Sequence, residues 1–572
     1  MFDLSARRHA ATSGLRSAQL LIAAGLAASV GGAASGALIV STWAAAASGT
    51  WNTASNWSPN ANFPNNGTPV GDTYHAIIDA TGPNYTVTLN TNVTLDMLTL
   101  NSANATLSHS GGSFNPGVAN ISAGTYRLVG GSITGGVWNI SGTGVFDVAS
   151  SGNNNIIGAT INGDIILSAN SARSRVSGAT RFGTARLSGP SSSLGFAPGY
   201  TLLDAIRAEG AGGGSRNVEM NGSAGTVTIG ATGSITHAAG TGGGFNIGGS
   251  QWFGGAMTLV NDGLIQMDAS GQAMSIAANS FTNNGTLRVT AGTTTISSWS
   301  NAGLVEVSGG TLNLGAFNTT SGIGTWNRTG GAVNINGAIN NAGSSFTLNN
   351  STGSWTLLGG SITGGEVNLA DAAQLLVGAN SANTLSGVDL NGDLILSAGS
   401  ARARVIGATR FDTARLSGAS SSLAFAPGYT LMDAVVAQGA GGGSRNVEMN
   451  GAAGTFTIGA TGSITHAAGA GGGLNIGGSQ WFGGAMTLVN NGLIQMDASG
   501  QAMSIEANSF TNNGTLRVTT GTTTVSSWSN AGLVEVSGGT LNLGAFNVTS
   551  GIGTGNRTGG PVSITGPTTK PA

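Results

Sequence analysis

The stretch from Gly248 to Phe317, which carries QWFGGAMTLVNDGLIQMDASGQAMSIAANSFTNNGTLRV, returns almost word for word from Gln480, 229 residues after Gln251. The same offset links SAGTYRLVGGSITGGVWNI at 122–140 to STGSWTLLGGSITGGEVNL at 351–369, and the match runs on to about Gly566. Between Arg181 and Gly330 the two copies agree at about nine positions in ten. Self-similarity on this scale marks an architecture that grows by adding units. Such close identity also reflects recent duplication, so a residue gains no functional weight merely by occurring twice.

A finer period lies inside the unit. Asn261-Asp262-Gly263-Leu264, Asn283-Asn284-Gly285-Thr286 and Asn301-Ala302-Gly303-Leu304 each open a short strand, LIQM, TLRV and LVEV. Their glycines stand 22 and then 18 residues apart, the span of one rung of a stacked repeat. Apolar residues alternate with polar ones in each strand, and the Asn and Gly are expected to supply left-handed turn conformations at the corners. The 99 glycines and 7% charged residues rule out long helical periods, while 40% hydrophobic residues suffice for a core. Separate β-sandwiches would need hairpin turns at short regular spacing and no long internal period. The expected fold is therefore all-β: a right-handed parallel β-helix, or β-solenoid, with rungs of about 20 residues and an internal duplication. At about 4.8 Å per rung the rod is on the order of 120 Å long. One segment, 196–222, departs from the pattern, and its Leu202-Leu203 and Ala205-Ile206 pairs suggest a short helix or a loop bulging from a rung.

Residues 1–47 read as an export signal: Arg7, Arg8 and Arg16 precede an Ala/Gly-rich apolar stretch, and Ala44 to Ala47 offer small-residue cleavage sites. An uncleaved anchor over 17–47 is the alternative. Then come an N-terminal cap with the first β rungs at 48–121, one solenoid unit at 122–350 and a second at 351–572. The series Trp51, Trp57, Pro64, Pro69, Gly71 and Asp72, followed by the Thr-rich strands YTVTL and VTLDMLTL, resembles the start of large exported bacterial β-solenoid proteins, similar to autotransporter passenger and adhesin-like regions. That resemblance implies a cell-surface location. A bulky, irregular cap is also what the open end of a solenoid requires.

Charge narrows the function. With 20 basic and 22 acidic residues and a single lysine, Lys570, the chain has no basic stripe for nucleic acid. Without cysteine it has neither disulfides nor thiolate metal sites, and no calcium-binding nonapeptide is present. The runs GAGGGS (210–215) and GTGGGFNIGG (240–249) lack the Lys-Ser/Thr ending of a phosphate loop. No cofactor or metal is implied.

A polysaccharide lyase or hydrolase would need carboxylates converging in a groove. The candidates Asp164, Asp204, Glu219 and Asp268, with Arg173, Arg175, Arg181 or Arg216 and the repeats Asp393, Asp433, Glu448 and Asp497, are scattered along the sequence. His237 and His466 are the duplicated histidines, each read as a surface or corner residue, and no nucleophile-elbow sequence accompanies them. Trp252-Phe253 and Trp481-Phe482 either fold over the core at a corner or stack on a sugar ring from an exposed position. Thr-rich segments are too irregular in register for an ice-binding array. The reading is thus a non-catalytic, exported structural or adhesin-like solenoid with glycans or other surface components as partners. Its candidate binding face comprises His237, Trp252 and Phe253 with His466, Trp481 and Phe482; the alternative is a polysaccharide-active β-helix enzyme.

Overall fold

The strand Leu264–Met267 shows how sequence becomes structure here: Ile265 and Met267 are buried, while Leu264 and Gln266 between them are partly exposed. Short strands of this kind cannot bury their apolar side alone. They do so by stacking in parallel, each rung on the last. The computed structural model describes residues 36–320, 322–547, 553–566 and 568–569. It is an all-β parallel solenoid of about 23 turns with rungs of about 21 residues. The one helical element among the described residues is a single turn, Ala54–Asn56. The export-signal reading of residues 1–47 falls, up to residue 35, outside the described residues, and no described helix is long and apolar enough to cross a membrane.

Each rung places strands on three faces. Leu264–Met267, Ala273–Ile276 and Ser280–Asn283 occupy the first, second and third face, and Thr286–Val289 then returns to the first with Ile265 opposite Leu287. A single apolar core runs from Trp43 to Leu543. The expected helix or bulge at 196–222 is instead regular structure as far as Ala208: Tyr200–Leu202 and Ala205–Ala208 are strands on successive faces. Alternation overrides helix propensity there, because Leu202 and Ile206 each point into the core.

The corners also differ from expectation. Gly263, Gly285 and Gly303 do not adopt positive φ; they are glycines because the rungs touch there. A Cβ on Gly285 would lie 2.3 Å from the Gly263 carbonyl oxygen, and one on Gly303 2.2 Å from that of Gly285. The asparagines beside them turn inward. Asn261 Nδ2 donates to Asn283 Oδ1 at 2.7 Å, Asn283 Nδ2 to Asn301 Oδ1 at 2.7 Å, and all three side chains are buried. An amide is both donor and acceptor, so one asparagine per rung satisfies its neighbours in a continuous column.

At the joint between the copies the faces permute. Ala332–Ile335, on the second face, pairs with Trp355–Leu357, the repeat of a first-face strand. Likewise Phe317–Asn318, which follows the third face, leads through Ala338–Asn340 to Ser361–Thr363, the repeat of a second-face strand. The 229-residue offset is therefore not a whole number of rungs, and equivalent sites in the two copies lie one face apart. The joint is sealed by aromatics: Trp326 is buried and meets Trp355 at 4.9 Å between ring centroids. Its repeat is Gly555, and there an apolar cavity of about 230 Å³ lies among Val534, Leu541 and Ile564.

At the N-terminal end Leu38–Trp43 pairs in parallel with Thr73–Ile78 and antiparallel with Trp57–Ser58. Trp43 and Trp57 meet edge to face at 5.0 Å, Trp51 and Trp57 at 4.7 Å, and Trp57 Nε1 donates to the Trp51 carbonyl at 2.8 Å. This strand lies upstream of the expected cleavage near Ala47. A chain beginning at Ser48 should accordingly be less stable than one beginning at Gly36 by about 3 kcal/mol, the scale of removing one buried tryptophan. Paired denaturant titrations of the two chains measure this, and equal midpoints would show that the strand contributes nothing.

Candidate functional site

Two neighbouring strands of the second face, Ser193–Phe196 and Arg216–Met220, are buried on both sides, although a strand in this rod normally exposes one. Val218 and Met220 point to the core. Glu219, pointing outward, is covered by the loop 248–256, which folds back over the face.

Glu219 holds that loop. Its Oε2 accepts the backbone N–H groups of Gln251 (2.8 Å), Trp252 (2.8 Å) and Phe253 (3.1 Å), and its Oε1 accepts the Ser193 hydroxyl at 2.5 Å. Three consecutive amides converging on one oxygen form an anion nest, here filled by the protein's own carboxylate. The second copy repeats it, with Glu448 accepting from Gln480, Trp481 and Phe482 at 3.1, 3.0 and 3.0 Å.

The loop so fixed displays aromatic rings on the outside of the rod. Trp252 is 41% exposed and Trp481 39%. The guanidinium of Arg173 lies over the Trp252 ring, 4.2 Å from its centroid, and that of Arg402 lies over Trp481 at 4.0 Å. Phe253 and Phe482 sit under Arg175 and Arg404, each at 5.1 Å. Phe253 lies on the bare backbone of Gly195, where a Cβ would come within 2.6 Å of the ring. Trp252 and Trp481 thus hold the exposed position, while Phe253 and Phe482 are half-buried against the rod.

The arginines differ in one respect that charge counting does not reveal. Arg173, Arg402 and Arg404 have no ion pair and no guanidinium hydrogen bond among the described residues. The remaining described arginines have one or the other; Arg175, for instance, donates to Asn221 Oδ1 at 2.9 Å.

The histidines do not belong to this face. His237 and His466, expected at the surface or a corner, are fully buried side chains, His237 on a first-face strand and His466 on the repeat of that strand, which past the joint continues the second-face ladder. His237 meets Phe245 edge to face at 5.8 Å, and neither of its ring nitrogens has a hydrogen-bond partner among the described residues. Burial, with the Arg216 and Arg445 cations nearby, pushes both imidazoles down to about 4.

Arg216 and Arg445 likewise work inside. Arg216 is fully buried, and its guanidinium donates to the carbonyls of Gly212 (2.8 Å), Gly214 (3.0 Å), Glu209 (3.0 Å) and Gly210 (3.1 Å), and to Gly242. The glycine run 210–215 is thus a carbonyl cradle for an internal cation. A phosphate loop presents amide N–H groups to an anion, the opposite polarity.

The other carboxylates are taken up by neighbouring side chains and amides, Asp164 and Glu209 sharing Arg186. Asp204 takes Arg181 at 2.8 Å, Asp164 takes Arg186 at 2.6 Å and the Thr184 amide, and Asp268 accepts from Thr290 at 2.6 Å. The sequence comparison passed over one grouping. In the second copy Asp371, Asp393 and Asp412 line a groove of about 440 Å³ with Arg415, which pairs with Asp393 at 2.5 Å. Asp371 and Asp412 replace Gly142 and Gly183, so attention to shared residues hid them.

Two outcomes follow from this chemistry. Unfolded histidines bind a proton near pH 6.5, whereas His237 and His466 in the fold do so only near pH 4. Stability is therefore full above pH 6.5 and falls as pH drops through 6.5 towards 4, by about 3 kcal/mol per histidine. In urea titrations between pH 7 and 4 the His237→Leu/His466→Leu variant should lose most of that slope; an unchanged slope would remove the histidines as its cause. Glu219→Gln replaces a charged acceptor of four hydrogen bonds, and should cost about 2 kcal/mol and speed amide exchange at Gln251 to Phe253. Unaltered exchange there would show that the nest does not hold the loop.

Compared with family models, curated proteins and solved structures, the chain finds no match in any of the three.

Proposed function

We propose that this chain is a non-catalytic structural or adhesin-like solenoid, exported to act outside the cell, whose outer surface makes weak repeated contacts with glycans. The observation that carries this reading is the pair of exposed tryptophans held by rigid loops on the outside of a rod. An indole in that position offers an apolar edge and face to a sugar ring, and fixing the loop in advance reduces the entropy lost on binding. The surface around it is rich in Thr, Asn and Ser, suited to many weak polar contacts that add through multivalency. The buried Glu219 and the ion-paired Asp204 are occupied as structural acceptors, which supports a scaffold role for them.

The groove between Asp371, Asp393, Asp412 and Arg415 favours a second reading, a polysaccharide-active enzyme, since paired carboxylates beside a cation are what glycosidic cleavage uses. Incubating the purified chain with a panel of polysaccharides separates the two. Retention on one or more polymers without new reducing ends or unsaturated sugars is the expected result. Product release abolished by Asp371→Asn/Asp412→Asn would replace the structural reading with the enzymatic one, and failure to bind any polymer would remove the adhesive part.

A further inference from the structure

Resting on the glycan reading, we infer that the two aromatic loops are sites for acidic glycans, carboxylated or sulfated, and that because they open onto different faces one molecule joins two glycan chains. Among the described residues Arg173, Arg402 and Arg404 are cations without a counterion, whereas the other described arginines all have partners. Stacking on Trp252 or Trp481 fixes the guanidinium plane and leaves the N–H edge without a hydrogen-bond partner among the described residues, with Nε of Arg402 buried and its terminal nitrogens the ones to engage an anion. That edge is the one that binds a carboxylate or sulfate with two parallel hydrogen bonds. The exposed part of the indole beside it provides the apolar contact for the ring that bears the anion. The loop is already ordered by Glu219, whose own charge is taken up by three amides and a hydroxyl.

The two copies are not identical in charge. Glu506 replaces Ala277, and its carboxylate lies beside Gly478, three residues before Trp481; a Cβ on that glycine would come within 2.7 Å of it. An extra anion at the rim weakens the attraction for an acidic polymer, so the second site is the weaker one and Glu506→Ala should tighten it.

The permuted faces set how the sites act together. The strand bearing Glu219 lies on the ladder that continues, past the joint, to Ser463–His466, whereas the strand bearing Glu448 lies on the neighbouring ladder that starts at Phe317–Asn318. At about 4.8 Å per rung the loops stand roughly 50 Å apart along the rod. A single stretch of polymer lying along one face meets one of them.

The test uses the full chain and two kinds of measurement. Binding to a soluble polyuronate, a sulfated polysaccharide and a neutral dextran is measured at low and moderate salt. Clustering of polyuronate-coated beads is then followed for the native chain, for Arg173→Ala/Trp252→Ala, for Arg402→Ala/Trp481→Ala and for all four changes together, each checked for monomeric state and unchanged thermal midpoint. The expected result is binding to one or both acidic polymers that weakens with salt, with the carboxylate and sulfate arms showing which anion is preferred. Either two-residue variant should still bind, with an affinity loss of no more than about tenfold, but lose clustering; the four-residue variant should lose binding. Equal binding to dextran, or clustering retained by a monomeric two-residue variant, would overturn this inference while leaving a glycan-binding rod in place. Binding to none of the polymers would overturn both.

Discussion

Everything in this molecule depends on rungs stacking directly on one another through parallel backbone ladders. At a spacing of about 4.8 Å, each side chain lies over its counterpart in the next rung, so like must tolerate like. Aliphatic residues do so inside, and the asparagine column 261–283–301 does so because an amide complements itself. Where the backbone corners come closest, nothing but hydrogen fits, and glycine follows. Groups that cannot stack on themselves are handled individually: Arg216 is wrapped in carbonyls, and His237 is held neutral by burial.

The same rule explains how a duplication that does not match the rung count still produced one continuous rod. A strand on one face asks of its neighbour only that apolar residues point in and polar residues out. Any face can therefore continue into any other, and the second copy joined one face out of step. The core runs through the joint, with Trp326 and Trp355 filling the mismatch. What a rigid rod cannot absorb is the change of direction, so the two loops that ride on the repeats face different ways.

The parallel solenoid, its rung length and its inward residues were legible because alternation and repetition are written locally. Two readings missed for physical reasons. The corner glycines suggested left-handed turns, but their role is steric and comes from the rung below, which lies about 20 residues away in sequence. The histidines looked like surface residues because SITH alternates as well with His outside as inside; only the register of Ser234–His237 against Leu264–Met267 buries it. In the candidate site, Trp252-Phe253 stood out as large rings in a glycine-rich loop. Glu219, Arg173 and Arg175 were visible only as scattered charges, since they meet those rings from other rungs.

By itself the sequence determined that this chain winds into a stacked β rod and that the rod contains the same unit twice, because both properties are periods along the chain. Tertiary structure alone decided that Glu219 is a clamp for a loop, that Arg173 stacks on Trp252 with no counterion among the described residues, and that the twin sites lie on different faces. These are relations between rungs 30 to 80 residues apart or, for the twin sites, a whole unit apart. They are fixed by how many strands intervene, and no local pattern records that count.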